Sequence, residues 1–198
     1  SDSVTMAVNL GVPYHIVSIE EARMAIESTL QPFFTGLPSD VTEENIQSRL
    51  RAVFLMAFAN KFGYVLLNTS NKSEAATGYG TLYGDMAGGL SVIGDVYKTE
   101  VYRLAEEINT HGVIIPPAII SKPPSAELKP DQLDTDSLPP YSLLDPVLYR
   151  YIDLEWPADR IIADGFDPGL VEKVLRLVRT SEFKRKQTPP ILRISSRA

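Results

Sequence analysis

Residues 64–74 constrain this chain more than any other stretch. Tyr64-Val65-Leu66-Leu67 is a near-continuous apolar run, and seven polar residues, Asn68-Thr69-Ser70-Asn71-Lys72-Ser73-Glu74, follow it without a break. An apolar run with no alternation predicts a strand covered on both faces, the environment of a parallel sheet. A helix leads into it: Ser39 or Thr42 can start it, Gly63 stops it after about Phe62, and Ile46, Leu50, Val53 and Ala57 recur at helical spacing. Alternating helix and strand makes the chain α/β. In open α/β sheets the ligand lies beyond the carboxyl ends of the strands. The polar run after Leu67 is therefore the first place to look for chemistry. Its hydroxyls, amides and carboxylate suit a nucleotide and its metal ion, and they equally suit a solvated surface loop.

The rest of the chain reads in the same alternating way. A short helix capped by Asp2 or Ser3 ends at Gly11, and Tyr14-His15-Ile16-Val17-Ser18-Ile19 has strand composition. His15 is expected to be an ordinary sheet residue. Glu20 to Leu30 reads as a second helix. Six of the twelve glycines fall between Gly78 and Gly94, in a spacing that matches neither the dinucleotide fingerprint nor the Walker pattern. Asp95 is expected to cap a helix from about Val96 to Asn109, with Val101, Leu104, Ala105 and Ile108 inward. Lys98 then sits in the first turn, where the macrodipole disfavours a cation; it is either a solvated Lys or one that helps the helix N-terminus hold an anion. Eight of the fifteen prolines lie between Pro116 and Pro146. That segment is expected to be an ordered loop, neither helix nor central strand. Short helices are expected over Leu143–Leu154 and from Asp167-Pro168 to Arg179, the latter burying Leu170, Val174, Leu177 and Val178.

Composition excludes several function classes. With no Cys there is no disulfide scaffold, thiolate metal site or Cys nucleophile. The two histidines, His15 and His111, are far apart in sequence. No apolar run approaches the ~20 residues of a membrane span, and no basic and apolar leader opens the sequence. The expected compartment is the cytoplasm. Net charge is −6, yet residues 170–198 carry eight Lys/Arg against two Glu. Basic charge confined to one stretch is not the spread face of a nucleic-acid binder. It is either a solvated helix face and tail or a site for a small phosphorylated ligand.

Four stretches in order resemble one family: Leu67-Asn68-Thr69-Ser70-Asn71-Lys72-Ser73-Glu74, Gly78-Tyr79-Gly80-Thr81-Leu82-Tyr83-Gly84-Asp85, Pro124-Ser125-Ala126-Glu127-Leu128 and Glu182-Phe183-Lys184-Arg185-Lys186-Gln187. Over nearly its whole length the chain resembles the synthetase domain of NAD synthetases of the glutamine-dependent form. The resemblance implies a Rossmann-like, adenine-nucleotide α-hydrolase-type parallel sheet flanked by helices. It implies amidation of deamido-NAD to NAD through an adenylated carboxylate, with ATP as co-substrate, Mg²⁺ as cofactor, and ammonia drawn from glutamine by a glutaminase domain. It also implies a homodimer or larger homo-oligomer.

Roles carry over residue by residue. By resemblance Thr69, Lys98 and Ser125 contact ATP, Glu74 binds Mg²⁺, and Arg49 and Lys184 hold deamido-NAD. No catalytic residue is implied beyond substrate positioning. Arg49 lies on the apolar stripe of its helix, where a guanidinium wants an anionic partner, either the ligand or a structural carboxylate. Leu82 and Gly89 stand where ammonia-dependent members place Lys and Asp, and Phe183 replaces a His, so no polar role is implied there. The family's Ser-Gly-Gly-x-Asp-Ser pyrophosphate loop has no counterpart in residues 1–198. The expectation is a synthetase domain truncated at its N-terminus, lacking the first strand, and inactive by itself. Two other readings stay open, an amidase of the GMP-synthetase type and a non-catalytic dimerisation piece.

Overall fold

The computed structural model describes residues 2–196. Arg197, one cation of the basic C-terminal stretch, lies outside the described residues.

Asp40 opens the longest helix. Its carboxylate accepts the Thr42 N–H at 2.7 Å while Glu43 reaches back to accept the Asp40 N–H at 2.8 Å. This reciprocal capping box starts α3 (Val41–Phe62), and Gly63, at φ 69°, stops it in the left-handed conformation glycine tolerates. The cap is thus Asp40, not Ser39 or Thr42. Two helices precede it, α1 (Asp2–Leu10) and α2 (Glu20–Leu30). The expected strand over 14–19 does not form: residues 14–18 are exposed, none of the six has a ladder partner, and Ile19 already takes helical backbone as it leads into α2.

The sheet is parallel but small. β1 (Leu67–Asn68) pairs with β2 (Leu90–Ser91), Leu67 opposite Leu90 and Asn68 opposite Ser91. Ile191 extends it by a parallel bridge to Ser91. The strand begins three residues later than the apolar run suggested. Tyr64 and Val65 are exposed, because two-residue strands cannot cover them on both faces.

The polar run turns helical. Asn71 accepts the Glu74 N–H at 3.0 Å, and Glu74 accepts the Asn71 N–H at 3.1 Å, a second capping box that starts α4 (Lys72–Thr77). The next helix, α5 (Lys98–Ile108), starts at Lys98 and is not capped by Asp95. The Asp95 carboxylate is committed elsewhere: Oδ1 meets Lys72 Nζ at 2.9 Å, and Oδ2 accepts the N–H groups of Ile194 and Ser195 at 2.8 and 2.6 Å. That cluster, joined by Asp153, pins the C-terminal segment against α4.

The proline-rich segment holds more helix than expected. α6 (Pro117–Ser121) takes its first turn from a proline, and α7 (Tyr141–Ile152) runs straight through Pro146. Then follow α8 (Ala158–Ala163), α9 (Pro168–Thr180) and α10 (Glu182–Arg185). The core lies where α4, α7, α8 and α9 meet: Leu144, Val147, Leu148, Ile161, Val171 and Val174 are fully buried. In α9 the buried face is Val171, Val174, Leu175 and Val178, so the stripe is turned from the expected Leu170 and Leu177. In α3, Leu50 is buried but Val53 is 62% exposed; in α5, Leu104 and Ile108 stand half exposed.

Candidate functional site

Thr69 directly follows β1, at its carboxyl end, and it opens onto a cleft of about 1090 Å³. The same cleft is walled by Glu74 of α4, Lys98 of α5, Ser125 of the proline-rich segment and Lys184 of α10. Five of the six residues singled out from sequence therefore share one cavity, although they come from four separate stretches. Arg49 is not in its wall. It stands exposed on α3 and its Nε donates to the Leu82 carbonyl at 3.2 Å, so its expected anionic partner is replaced here by a backbone oxygen.

Lys98 and Glu74 form the central pair, Nζ to Oε1 at 3.3 Å. Burial pushes the Glu74 carboxyl above its ordinary value, against the pull of Lys98 and the Asn71 N–H. The Lys98 ammonium also lies 5.6 Å over the Tyr141 ring and 6.0 Å over that of Tyr102. The helix terminus beneath it is closed, contrary to the expectation of an amide-lined anion site. The Lys98 N–H donates to Ser73 Oγ at 2.9 Å, and the Thr99 N–H donates to Asp145 Oδ2 at 2.8 Å. Ser73 Oγ in turn donates to Asp145 Oδ1 at 2.6 Å. An anion here meets the ammonium itself.

Lys184 closes another side. Its Nζ donates to the carbonyls of Gly78 and Gly80 at 2.8 and 2.7 Å, and burial lowers its pKa. Gly78 is at φ 68°, and a Cβ there would come 2.3 Å from Ser181 Cβ. Gly84 is as tight, with Ser48 Oγ 2.3 Å from where its Cβ would be. These glycines permit close packing of chain on chain. Ser125 Oγ accepts the Glu127 N–H at 3.1 Å.

Sequence reading missed Tyr79, Asp134 and Tyr141. All three lie in or beside this wall: the Tyr141 hydroxyl donates to Asp134 Oδ2 at 2.7 Å, and Tyr79 and Asp134 line the cleft. Burial, with these carboxylates nearby, raises the pKa of both tyrosines, so they stay protonated donors. The signal for Tyr141 was its place just after Pro139-Pro140, a helix start. Nothing in the pattern marked Asp134.

Whether the wall suits a metal follows from its donors. Among the described residues no three carboxylate or imidazole groups cluster to hold an ion by themselves. A magnesium ion does not need such a cage, since one or two carboxylates with phosphate and water oxygens suffice. Glu74 supplies one such carboxylate, and the wall fits that mode. No described helix is long and apolar enough to cross a membrane.

A cleft at the carboxyl end of parallel strands, with ammonium, hydroxyl and carboxylate groups converging in it, is the ligand-site arrangement of an open α/β domain. Comparison with known proteins narrows the class. The chain belongs to the NAD synthase family, whose description matches residues 1–188. It is 53% identical over 191 residues to a glutamine-dependent NAD(+) synthetase of Xanthomonas campestris, covering 96% of this chain and 35% of that protein. The corresponding protein of Thermotoga maritima is 48% identical, covering 100% and 34%. Among solved structures, a glutamine-dependent NAD+ synthetase from Acinetobacter baumannii in complex with ADP superposes with a TM-score of 0.60 at 44% identity, covering all of this chain and 35% of that one. An NMN synthetase from Francisella tularensis gives a TM-score of 0.75 at 24% identity, covering 93% and 68%, and speaks to the fold alone. The chain thus spans about a third of the length of the curated relatives it matches.

Proposed function

We propose that residues 1–198 are the synthetase portion of a glutamine-dependent NAD synthetase and that the cleft receives ATP beside deamido-NAD. The observation that carries this reading is the meeting of Thr69, Glu74, Lys98, Ser125 and Lys184 around one cavity. A free carboxylate is a poor acyl donor. In the proposed reaction a nicotinate carboxylate oxygen attacks the α-phosphorus of ATP, and the bond to the β-phosphate breaks to release pyrophosphate. Ammonia then attacks the acyl carbon, AMP leaves with that oxygen, and the extra proton passes to solvent.

The first step joins two anions, so positive charge placed before they meet lowers its barrier. Lys98 supplies it at the phosphates, and Glu74 holds the ammonium in place until they arrive. The hydroxyls of Thr69 and Ser125 donate to phosphate oxygens. Lys184, held by the Gly78 and Gly80 carbonyls, faces the dinucleotide, and Arg49 reaches it from outside the cleft. Glu74 would hold Mg²⁺, which when bound would neutralise charge on the polyphosphate. In this reading ammonia comes from a glutaminase domain, and the working form is a homodimer or larger assembly in the cytoplasm.

Oxygen labelling tests the chemistry. The natural protein that carries this chain is given deamido-NAD with ¹⁸O in the nicotinate carboxylate, with ATP and ammonia. One ¹⁸O in the AMP phosphate is expected. Label found in pyrophosphate, or retained entirely in the amide product, contradicts the adenylate.

A further inference from the structure

Asp134 is the buried carboxylate that this reading leaves without a task. It is 3% exposed and stands in the wall of the same cleft, at the start of a single 3₁₀ turn, Asp134–Asp136. Its Oδ2 accepts the Tyr141 hydroxyl. Its Oδ1 is sealed from solvent and makes no hydrogen bond of ordinary geometry, although the Tyr79 hydroxyl lies near enough for this carboxylate to help raise that tyrosine's pKa. An unsatisfied buried acceptor costs roughly 1–3 kcal/mol, and more when it carries charge, so a fold does not keep one without a use.

Charge balance says what the oxygen wants. Seven carboxylates and five cations line the cleft, and the ammonium of Lys98 is directed at Glu74 and makes no ion pair with Asp134. Both Glu74 oxygens already accept a hydrogen bond, one from Lys98 and one from the Asn71 N–H. A polyphosphate entering here adds further negative charge beside a buried carboxylate. A phosphate oxygen cannot satisfy Oδ1, because both are acceptors. A hard divalent cation reconciles the two, since it takes carboxylate and phosphate oxygens together.

We propose that Asp134 Oδ1 is a ligand of the divalent cation that enters the cleft with the polyphosphate; this rests on the nucleotide reading of the site. The 3₁₀ turn shifts to uncover the oxygen. That turn belongs to the proline-rich segment, which carries left-handed backbone at Glu127 and Asp131, φ 52° and 56°, and it is tied to the core through Leu138 and Tyr141. Asp134 becomes a second carboxylate for the ion beside Glu74, while its other oxygen keeps the Tyr141 hydroxyl.

The test uses the natural protein with Mn²⁺ as the probe and α,β-methylene-ATP as an uncleavable polyphosphate. Protein-dependent Mn²⁺ binding is followed by electron paramagnetic resonance, and analogue binding is measured separately in EDTA. Asp134→Asn keeps an acceptor for Tyr141 and removes the charge. It is expected to weaken Mn²⁺ binding at least tenfold while analogue binding in EDTA stays within twofold. Tyr141→Phe keeps the carboxylate and is expected to hold Mn²⁺ within about threefold of the parent. Unchanged Mn²⁺ binding in Asp134→Asn overturns the proposal and leaves the nucleotide reading standing. Equal losses in both variants also overturn it, since the cause would then be a disturbed segment. If the analogue fails to bind the parent protein, the nucleotide reading falls and the proposal with it.

Discussion

At the residue scale, Glu74 shows how one side chain serves structure and site together. It closes the α4 capping box and fixes Lys98. Burial raises its pKa, so the native state binds its proton more tightly than the unfolded chain does. Stability then falls as pH rises from the ordinary carboxylate range through the raised native value. Glu74→Gln is expected to flatten that part of the curve in denaturation measured between pH 4 and 8; an unaltered slope would contradict the assignment. The family resemblance placed Thr69, Glu74, Ser125 and Lys184 at one site through motifs that contain them, and Lys98 through its place in the first turn of α5. Asp134 was not legible, and Tyr79, although inside the second motif, was given no role. Their importance comes from burial and from partners distant in sequence, which no local pattern encodes. Arg49 shows the converse: its place on an apolar stripe was legible, but the stripe is not the buried face of α3.

At the scale of elements, helix ends were partly legible, and of the strands only the parallel one at Leu67 was, without its length. The stop at Gly63 and the Asp167-Pro168 start of α9 follow from local backbone chemistry, and Asp167 does accept the Leu170 N–H at 2.8 Å. The expected cap at Asp95 failed because tertiary partners, Lys72 and the C-terminal segment, outcompete a local role. Strand length depends on neighbours, so a four-residue apolar run yielded two paired residues. Two substitutions test the observed ends. Asp40→Ala removes the α3 capping box and is expected to cost about 1 kcal/mol in urea denaturation. Gly78→Ala forces left-handed backbone on a residue with a Cβ and drives that Cβ into Ser181. Its expected cost is larger, about 2–3 kcal/mol, with loss of the Lys184 contacts. A cost of Gly78→Ala below that of Asp40→Ala would contradict the packing described at α4, α9 and α10.

At the scale of the whole molecule, the apolar core and the apolar surface lie in different parts of the chain. The core is formed by α4, α7, α8 and α9, with Leu144 fully buried. The first 65 residues leave large apolar side chains exposed, Ile16 at 81% and Phe33 at 79%. Binary patterning predicted helices there correctly but assumed partners for every apolar face. Leu144→Ala is therefore expected to cost about 2–5 kcal/mol, while Phe33→Ala stays within about 0.5 kcal/mol in thermal denaturation of this chain. The reverse order would mean that the core has been misplaced. The account as a whole rests on the cleft being the nucleotide site, and calorimetric titration of ATP into the natural protein tests it most directly. Lys98 and Lys129 both line the cleft, but Lys129 pairs with Glu44 at 3.1 Å, away from Glu74. Lys98→Met is expected to weaken ATP binding at least tenfold, with Lys129→Met within twofold of the parent; equal effects, or no loss with Lys98→Met, would contradict it.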